Sequence, residues 1–462
     1  MKTSKTISRR NLLKGLALGA GAATLAACAP AGQAPAPAAT EAPKPGADTQ
    51  PTSAPAAPGG PVEIVYWGFS GGLGNTEDEL VKMYNDKDTG VTVKREVQGN
   101  YEETAQKLTA QLAAKSALPE IVLLSDVWWF KFYRSGSLLP LNELIAAQKI
   151  DTSDFVESLW IEGVRKGVQH WIPFARSTPL FYYNADLLEQ AGLEPRGPKT
   201  WAEFMEWAPK LVQKEGDTLK VAAFAHPGAA SYIAWLFQCV AWQFGGSYSD
   251  ADFNIKLLEP DTVRAAQFYQ DTVNSMGWAI ASKDVQKDFV TGLAATAMLS
   301  TGSLAGVLRD ATFKVGTAFL PEEKQFGCCT GGAGLAILAG TAPDKAAAAI
   351  QYIDWATGNE GGAFWPQNTG YMPVRKSTAA SESYAKFFEE RPQARTAVEQ
   401  LPKTKPQDAA RVFIPGGDQI IGKGLERIVI NKEDVTTVWT DVTRELDREA
   451  EPVKRDIAAM GG

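Results

Sequence analysis

Apolar and polar positions along the first part of the chain predict a mixed α/β protein. The run VEIVYWGF at 62–69 and the run VTVKREVQ from Val91 are typical of strands, and EIVLLS is a short buried strand. The helical period of NYEETAQKLTAQLAAKSA ends before Pro119, and another helix is expected from about Thr76 to Asn85. This strand–helix–strand–helix–strand order predicts a parallel sheet covered by helices.

The rest of the chain continues this alternation. Helices are predicted at ADLLEQAGL, at DKAAAAIQYIDWATG, from about 418 to 457, and at TWAEFMEWAPKLVQKE, where Thr200 is the cap and Glu203 the capping-box residue. Short strands are predicted at KVAAFAH, TAMLST, KVGTAFLP and GGAGLAIL. Because 462 residues are too many for one ordinary core, we expect more than one α/β unit.

The first 60 residues indicate export and tethering. SRRNLLK, from Ser8, resembles a twin-arginine export signal, and LAAC, ending at Cys28, resembles a lipobox. We therefore expect a signal peptide at 1–27, a lipid-modified Cys28, and an Ala/Pro-rich tether over 28–60. These features predict a protein anchored by lipid to the extracytoplasmic face of a bacterial cell membrane.

Charge and cysteine content narrow the possible partners. Residues 1–27 hold five basic residues and no acidic one, so removing them leaves an excess of 12 acidic residues. No basic cluster offsets this charge, and we expect no nucleic-acid partner. With two histidines and few cysteines, the sequence predicts neither a metal site nor a cofactor. Cys239 pairs with Cys328 or Cys329, or all three are buried as small apolar side chains.

Seven short segments follow one another along the folded part: NYEETAQKL, PEIVLLSD, STPLFYYNADLLEQAGL, PKTWAEF, AMLSTGSLAGV, GGAGLAIL and NTGYMPV. Together they resemble the extracellular solute-binding proteins of ABC importers, within the carbohydrate-binding cluster and nearest to its glycerol-3-phosphate-binding branch. The resemblance covers nearly all of 61–462. It implies the two-lobed α/β periplasmic-binding-protein fold (type II), with a ligand cleft between lobes that hinge crossings join.

The resemblance also implies how the chain divides and works. It places lobe 1 at 61–174 plus 331–369, lobe 2 at 179–328 plus 373–462, and the crossings near 175–178, 329–331 and 370–372. Such a protein closes about its hinges when ligand contacts both lobes, and the permease subunits of the transporter recognise the closed form. We expect a monomer that binds a small sugar or polyol phosphate.

Several polar residues are placed where strands end, which is where ligands bind in α/β folds. Asp126 follows EIVLLS, and its carboxylate either accepts bonds from ligand hydroxyls or caps the next helix. Ser300 precedes a predicted helix start, where backbone N–H groups suit a phosphate, or it is a plain cap. Gly331 lets the backbone approach a ligand, or relieves a tight crossing.

The resemblance assigns further ligand residues. Tyr101, Ser177 and Tyr371 match positions that contact ligand in the family, although Tyr101 also begins a helix and Ser177 also suits a turn. The branch has a late arginine that pairs with phosphate, and Arg411 matches it if two residues are inserted. Otherwise Arg176 is the basic residue near the crevice, since either arginine makes charge-assisted bonds to phosphate.

The ligand itself stays open between three chemistries. The branch carries a tryptophan pair where this chain has HPGAASYIAW, which includes Tyr232 and Trp235. Aromatic rings stack on sugars and also surround quaternary ammonium groups. The candidates are therefore glycerol 3-phosphate, a glycerophosphodiester with a choline head, and a neutral sugar.

One enzyme hypothesis stands beside the binding protein, which we expect not to be an enzyme. The segment GFSGG after the first strand matches G-x-S-x-G, with Ser70 as nucleophile and His170 or His226 as base. This pattern defines the alternative of a lipid-anchored extracytoplasmic hydrolase.

Overall fold

The computed structural model describes residues 61–228 and 232–459. The predicted signal peptide, the predicted lipid-modified Cys28 and the whole of the predicted tether lie outside these residues. The strands are β1 Val62–Gly68, β2 Val91–Val97, β3 Ile121–Ser125, β4 Val164–Arg165, β5 Val168–Gln169, β6 Ile172–Ser177, β7 Pro179–Asn184, β8 Gln213–Glu215, β9 Thr218–Pro227, β10 Ala279–Ser282, β11 Ala294–Ser300, β12 Val315–Ala318 and β13 Gly331–Ile337.

The α-helices alternate with these strands and then fill the C-terminal part. They are α1 Gly71–Asn85, α2 Tyr101–Ala114, α3 Trp129–Arg134, α4 Asn142–Ala147, α5 Glu157–Trp160, α6 Ala185–Gln190, α7 Trp201–Leu211, α8 Ile233–Phe244, α9 Pro260–Asn274, α10 Val285–Val290, α11 Leu304–Asp310, α12 Pro343–Thr357, α13 Gly361–Thr369, α14 Lys376–Ala379, α15 Glu382–Glu390, α16 Arg395–Gln400, α17 Ala409–Val412, α18 Gly417–Val429 and α19 Val435–Ala459.

Two sheets organise these elements. Sheet 1 has the order β2-β1-β3-β13-β6, with β1 parallel to β2 and β3, as predicted, and β13 antiparallel to β3 and β6. Sheet 2 has the order β10-β9-β11-β7-β12, with β8 added on β9. In sheet 2, β9 is parallel to β10 and β11, whereas β7 is antiparallel to β11 and β12. Each sheet therefore combines parallel strands with an antiparallel insertion.

Helix α8 shows how the pattern of apolar residues determines packing beside sheet 2. Its sequence, IAWLFQCVAWQF, is buried at every position, which is the pattern of a core helix rather than an amphipathic surface helix. It packs against α9 and α18. The C-terminal helices α18 and α19 pack on one another and on α9, so they belong with sheet 2.

Two local predictions need correction. Helix α1 begins at Gly71 after its N-cap Ser70, not near Thr76, so the glycine-rich segment before Thr76 is part of the helix. Gly74 is required there because a Cβ would lie 2.8 Å from the Phe69 carbonyl oxygen. In α7, Thr200 accepts the Glu203 amide as predicted, but the Glu203 carboxylate accepts the Lys199 amide and does not close a capping box.

Strand direction determines at which edge of each sheet the strands end. Strands β3 and β6 both run antiparallel to β13, so β3 and β6 end at the edge where β13 begins. In sheet 2, β9, β10 and β11 end at the edge where β7 begins. The chain leaves β6 at Ser177 and enters β7 at Pro179, so only Thr178 separates these two edges.

Candidate ligand-binding site

Three neighbouring positions at the edge of sheet 1 form the floor of the site. The Asp126 amide, just after β3, donates to the Gly332 carbonyl with an N–O distance of 2.9 Å. On its other side, Gly332 is paired with Arg176 near the end of β6. Gly332 has φ +98°, and a Cβ there would lie 2.1 Å from the Ala175 carbonyl oxygen, so only glycine fits. Backbone pairing therefore holds Asp126 and Arg176 on the two sides of one glycine.

Asp126 does not cap the following helix. Helix α3 begins at Trp129, and no side chain caps its amides. The Asp126 carboxylate instead accepts from Gln407 Nε2 at 2.5 Å and lies 3.7 Å from Arg411 Nη1. Only 6% of Asp126 is exposed, and both of these contacts are made by a single carboxylate oxygen, Oδ2.

Arg411 lies opposite Asp126, on the segment that leads into α18. Its Nε donates to Asp418 at 2.7 Å, and its Nη1 contacts the Gln407 amide oxygen. Burial alone would lower the pKa of Arg411, but Asp418 and Asp126 raise it, so the guanidinium stays charged. The structure thus brings two predicted site residues, Asp126 and Arg411, into one polar cluster.

Arg176 is fully buried and forms a second cationic centre. Its Nη2 donates to Glu162 Oε2 at 2.5 Å, and its guanidinium lies 4.9 Å from the centre of the Trp171 ring. Thr330 donates its hydroxyl to the other oxygen of Glu162 at 2.7 Å. The Arg176 carbonyl accepts from the Met372 amide at 2.8 Å, so this residue joins the first and third of the segments predicted as crossings.

Aromatic rings line one side of the same edge. Tyr101 and Tyr371 have hydroxyl oxygens 3.4 Å apart. The ring of Trp365 stacks on Tyr371 with an interplanar angle of 17°. The ring of Phe69 also stacks on Trp365, with an interplanar angle of 14°. Burial raises the pKa of Tyr371 to about 12 and the pKa of Tyr101 well above its usual value. Both phenols are therefore neutral hydrogen-bonding groups at physiological pH.

The edge of sheet 2 faces these rings. Ser300 ends β11, and its hydroxyl accepts the Gly302 amide at 3.1 Å, so the predicted cap contact is present. Tyr371 packs over this turn, because a Cβ on Gly302 would lie 2.9 Å from the Tyr371 ring. Tyr232 precedes α8, and its ring meets Trp235 edge-on with centroids 6.0 Å apart.

At Gly331, strand β13 of sheet 1 packs tightly against helix α8. Its strand partner is Ser177, which is 3% exposed at the end of β6. A Cβ on Gly331 would lie 2.6 Å from the Trp235 indole, whose Nε1 donates to the Thr330 carbonyl at 3.0 Å. Gly331 is therefore needed for tight contact with the Trp235 ring. This agrees with the predicted alternative in which Gly331 relieves a crowded crossing.

Four residues of this cluster were not identified from the sequence: Glu162, Thr330, Gln407 and Asp418. Glu162 lies in a short 3₁₀ turn with no strand end or motif beside it, so no sequence signal points to it. Thr330 directly precedes Gly331, and this position beside a glycine pair was the one available hint. The roles of all eight predicted ligand residues stay predictions.

The three cysteines of the described residues lie beside the segments that connect the sheets. All are buried and free, and the Cys239 and Cys329 sulfurs are 3.3 Å apart. The Thr178 hydroxyl oxygen lies 2.9 Å from the Cys328 sulfur, and the hydroxyl donates to the Cys329 carbonyl at 3.1 Å. The thiols act here as small packing groups, the second of the two alternatives considered from the sequence.

The hydrolase hypothesis finds no support in the geometry. Ser70 occupies the N-cap position of α1, and its side chain makes no capping hydrogen bond. The ring of His170 packs on Tyr133, and His226 is buried in sheet 2 with its Nε2 2.7 Å from the Thr272 hydroxyl oxygen. Neither histidine is positioned by a hydrogen bond to Ser70, so the three side chains do not form a nucleophile and base.

Within residues 61–228 and 232–459, no set of three or more His, Cys, Asp or Glu side chains is arranged to hold a metal ion. The same residues include no helix with both the length and the apolar character needed to cross a membrane.

The sequence model for bacterial extracellular solute-binding proteins matches residues 79–395. The chain belongs to this family. It is 26% identical over 404 residues to the sn-glycerol-3-phosphate-binding periplasmic protein UgpB of Escherichia coli K12, covering 82% of this chain and 87% of that protein. The relatives are binding proteins for transport, and the predicted function as a solute-binding protein is confirmed at that level.

Solved structures agree with this assignment. UgpB from Mycobacterium tuberculosis in complex with glycerophosphocholine is 39% identical, with a TM-score of 0.79 over 86% of this chain and 99% of that one. The cyclic α-maltosyl-1,6-maltose binding protein of Arthrobacter globiformis is 22% identical, with a TM-score of 0.71 over 85% of this chain and 100% of that one. The two-lobed α/β fold predicted from the sequence is thereby confirmed, and the family places the protein outside the cytoplasm.

Proposed function

We propose that this protein is the substrate-binding component of an ABC importer and captures a phosphate ester of glycerol between its two lobes. The observation that carries the proposal is the pair of buried arginines, Arg176 and Arg411, at the edges where the sheets meet. Guanidinium groups bind phosphate oxygens through charge-assisted hydrogen bonds. A family member 39% identical to this chain was crystallised with glycerophosphocholine, which supports the same ligand class here.

The eight predicted residues would then contact the ligand from both lobes. We infer that Arg411 or Arg176 binds the phosphate, and that Tyr101, Asp126, Ser177 and Ser300 bind hydroxyl groups. Tyr232 and Tyr371 would pack against the ligand, and Gly331 would allow it to approach the backbone. The lobes 61–174 plus 331–369 and 179–328 plus 373–462 would close around it, and the permease would bind this closed form.

The proposal includes attachment to the membrane. Export through the twin-arginine signal and acylation of Cys28 would leave the monomer tethered by 28–60 beside its permease, without catalytic activity of its own.

A neutral sugar is the second candidate ligand, and the aromatic group favours it. The stacked rings of Phe69, Trp365 and Tyr371 offer flat apolar surfaces of the kind on which sugar rings stack.

Calorimetric titration of the purified protein with glycerol 3-phosphate, glycerophosphocholine and maltose separates the two candidates. We expect a phosphate ester to bind, and Arg411→Gln to weaken it by about tenfold or more while leaving any sugar binding nearly unchanged. Arg427→Gln is the matched control, because Arg427 pairs with Glu433 and Asp441 at the surface. Binding of maltose alone would reject the phosphate ligand in favour of the sugar.

A further inference from the structure

Arg176 carries hydrogen-bonding capacity that the protein leaves unused. The residue is 0% exposed, yet its Nε and Nη1 have no hydrogen-bond partner among residues 61–228 and 232–459. A buried donor without a partner costs free energy, and a ligand that supplies an acceptor recovers it. The two free nitrogens therefore mark a place for an acceptor group.

Arg176 lies among several of the predicted ligand-binding residues. Arg176 lies across Gly332 from Asp126 in sheet 1. Its charge also reaches the two cleft tyrosines: burial raises the pKa of Tyr101 and of Tyr371, and the guanidinium opposes that rise at both hydroxyls. The acceptor that Arg176 lacks would come from a molecule bound between the lobes.

Glu162 limits how much positive charge Arg176 offers to that molecule. One Glu162 oxygen takes the Nη2 proton of Arg176 at 2.5 Å, and the other takes the Thr330 hydroxyl proton at 2.7 Å. Both carboxylate oxygens of Glu162 are thus occupied by protein donors. The pair presents two N–H donors with almost no net charge.

The charge of the other arginine, Arg411, is balanced in the same way. Arg411 contacts Asp418 and lies near Asp126. Two guanidinium groups therefore face three carboxylates in this cluster, which leaves an excess of one negative charge. A phosphodiester carries one negative charge, whereas a phosphomonoester carries about 1.5 to 2 near neutral pH.

We propose that Glu162 is a specificity-determining residue, which acts through Arg176 to make the cleft select phosphodiesters over phosphomonoesters. This inference rests on the proposed function and names the ligand class within it. The donors of Arg176 remain available to one phosphate oxygen, but the carboxylate behind them repels a second negative charge.

The test compares glycerol 3-phosphate with its methyl ester, which keeps the glycerol group and removes one negative charge. Dissociation constants are measured by calorimetry at pH 8 for the wild type and for Glu162→Gln. We expect the wild type to bind the methyl ester more tightly. In Glu162→Gln, the affinity ratio should shift toward the monoester by about tenfold, since one neighbouring negative charge has been removed.

Glu157→Gln is the matched control. It removes the same charge from an exposed position five residues earlier, so it should leave the ratio unchanged. An equal shift in Glu157→Gln would mean that overall charge, not the Arg176 pair, sets selectivity, and would overturn the inference. An unchanged ratio in a folded Glu162→Gln protein would overturn it as well.

A second variant keeps the question decidable if Glu162→Gln does not fold, as judged by circular dichroism. Arg176→Gln leaves Glu162 in place, and the monoester should then lose more affinity than the methyl ester; equal losses would contradict the inference. If the wild type binds neither phosphate ester, the proposed function itself fails and the inference falls with it. If both bind and the ratio does not respond, the inference alone is wrong.

Discussion

The hydroxyl oxygens of Tyr101 and Tyr371 lie 3.4 Å apart, although 270 residues separate them in the chain. Tyr101 begins a helix of sheet 1, and Tyr371 lies on the last segment that connects the sheets. Tyr371 also packs over Gly302 at the edge of sheet 2. The contact between Tyr101 and Tyr371 therefore depends on the edges of both sheets lying next to each other.

We predict that removing either hydroxyl weakens ligand binding. Tyr101→Phe and Tyr371→Phe should each raise the dissociation constant about fivefold to tenfold, the effect of losing one hydrogen bond. Quenching of tryptophan fluorescence on titration with ligand measures this. Tyr384→Phe is the control, because Tyr384 packs among Phe387 and Phe388 away from the cleft. Equal effects in all three variants would contradict a direct role for the pair.

Gly331→Ala should destabilise the protein and weaken binding together. The added methyl group would lie 2.6 Å from the Trp235 indole, so the ring or the strand must move. Such overpacking costs about 1–3 kcal/mol in the free energy of unfolding. Urea unfolding and calorimetry measure the two effects. Gly72→Ala, with no atom within 4 Å of the new Cβ, should leave both nearly unchanged.

Phe413→Ala should weaken every ligand by a similar factor. The centre of the Phe413 ring, between α17 and α18, lies 4.6 Å from the centre of the Phe130 ring and 4.6 Å from the Arg165 guanidinium, and both partners fall in the predicted lobe 1. Since this contact lies outside the polar cluster, its loss favours the open form without changing selectivity. Calorimetry with a phosphate ester and a sugar checks this, with Phe388→Ala as control. A change in the affinity ratio between ligands would argue that Phe413 contacts ligand.

Acid should destabilise the protein partly through His226. Burial lowers the pKa of His226 to about 3, against about 6.5 in an unfolded chain. The unfolded state therefore binds the extra proton first, and stability present above pH 6.5 is lost as the pH falls toward 3. This group contributes at most about 1.4 kcal/mol per pH unit. His226→Gln should flatten the pH dependence of urea unfolding between pH 6.5 and 4.5; parallel curves for both proteins would refute this.

Local pattern predicted the elements that local forces determine. The period of NYEETAQKL predicted α2, whose Asn100 and Glu103 form a capping box, and the alternation of strands and helices predicted the parallel part of sheet 1. The start of α1 was missed because glycines within a helix look like a turn, and tertiary packing around Gly74 decides otherwise.

The candidate site was partly predictable for the same reason. Asp126 follows a strand end, so its place at the sheet edge follows from strand direction. Its contact with Gln407 and Arg411 depends on segments nearly three hundred residues away, and no periodicity encodes that. The position of Glu162 in the cluster could not be predicted from the sequence, because it depends on contacts with Arg176 and Thr330.

The position of β13 in sheet 1 has a consequence for biosynthesis. This strand lies between β3 and β6, yet the chain completes sheet 2 before reaching it. A ribosome must therefore deliver all of sheet 2 before sheet 1 gains its fifth strand, and β3 and β6 stay without their shared partner until then. Because the floor of the cleft is built on Gly332, the ligand pocket is among the last parts of the molecule to exist during synthesis.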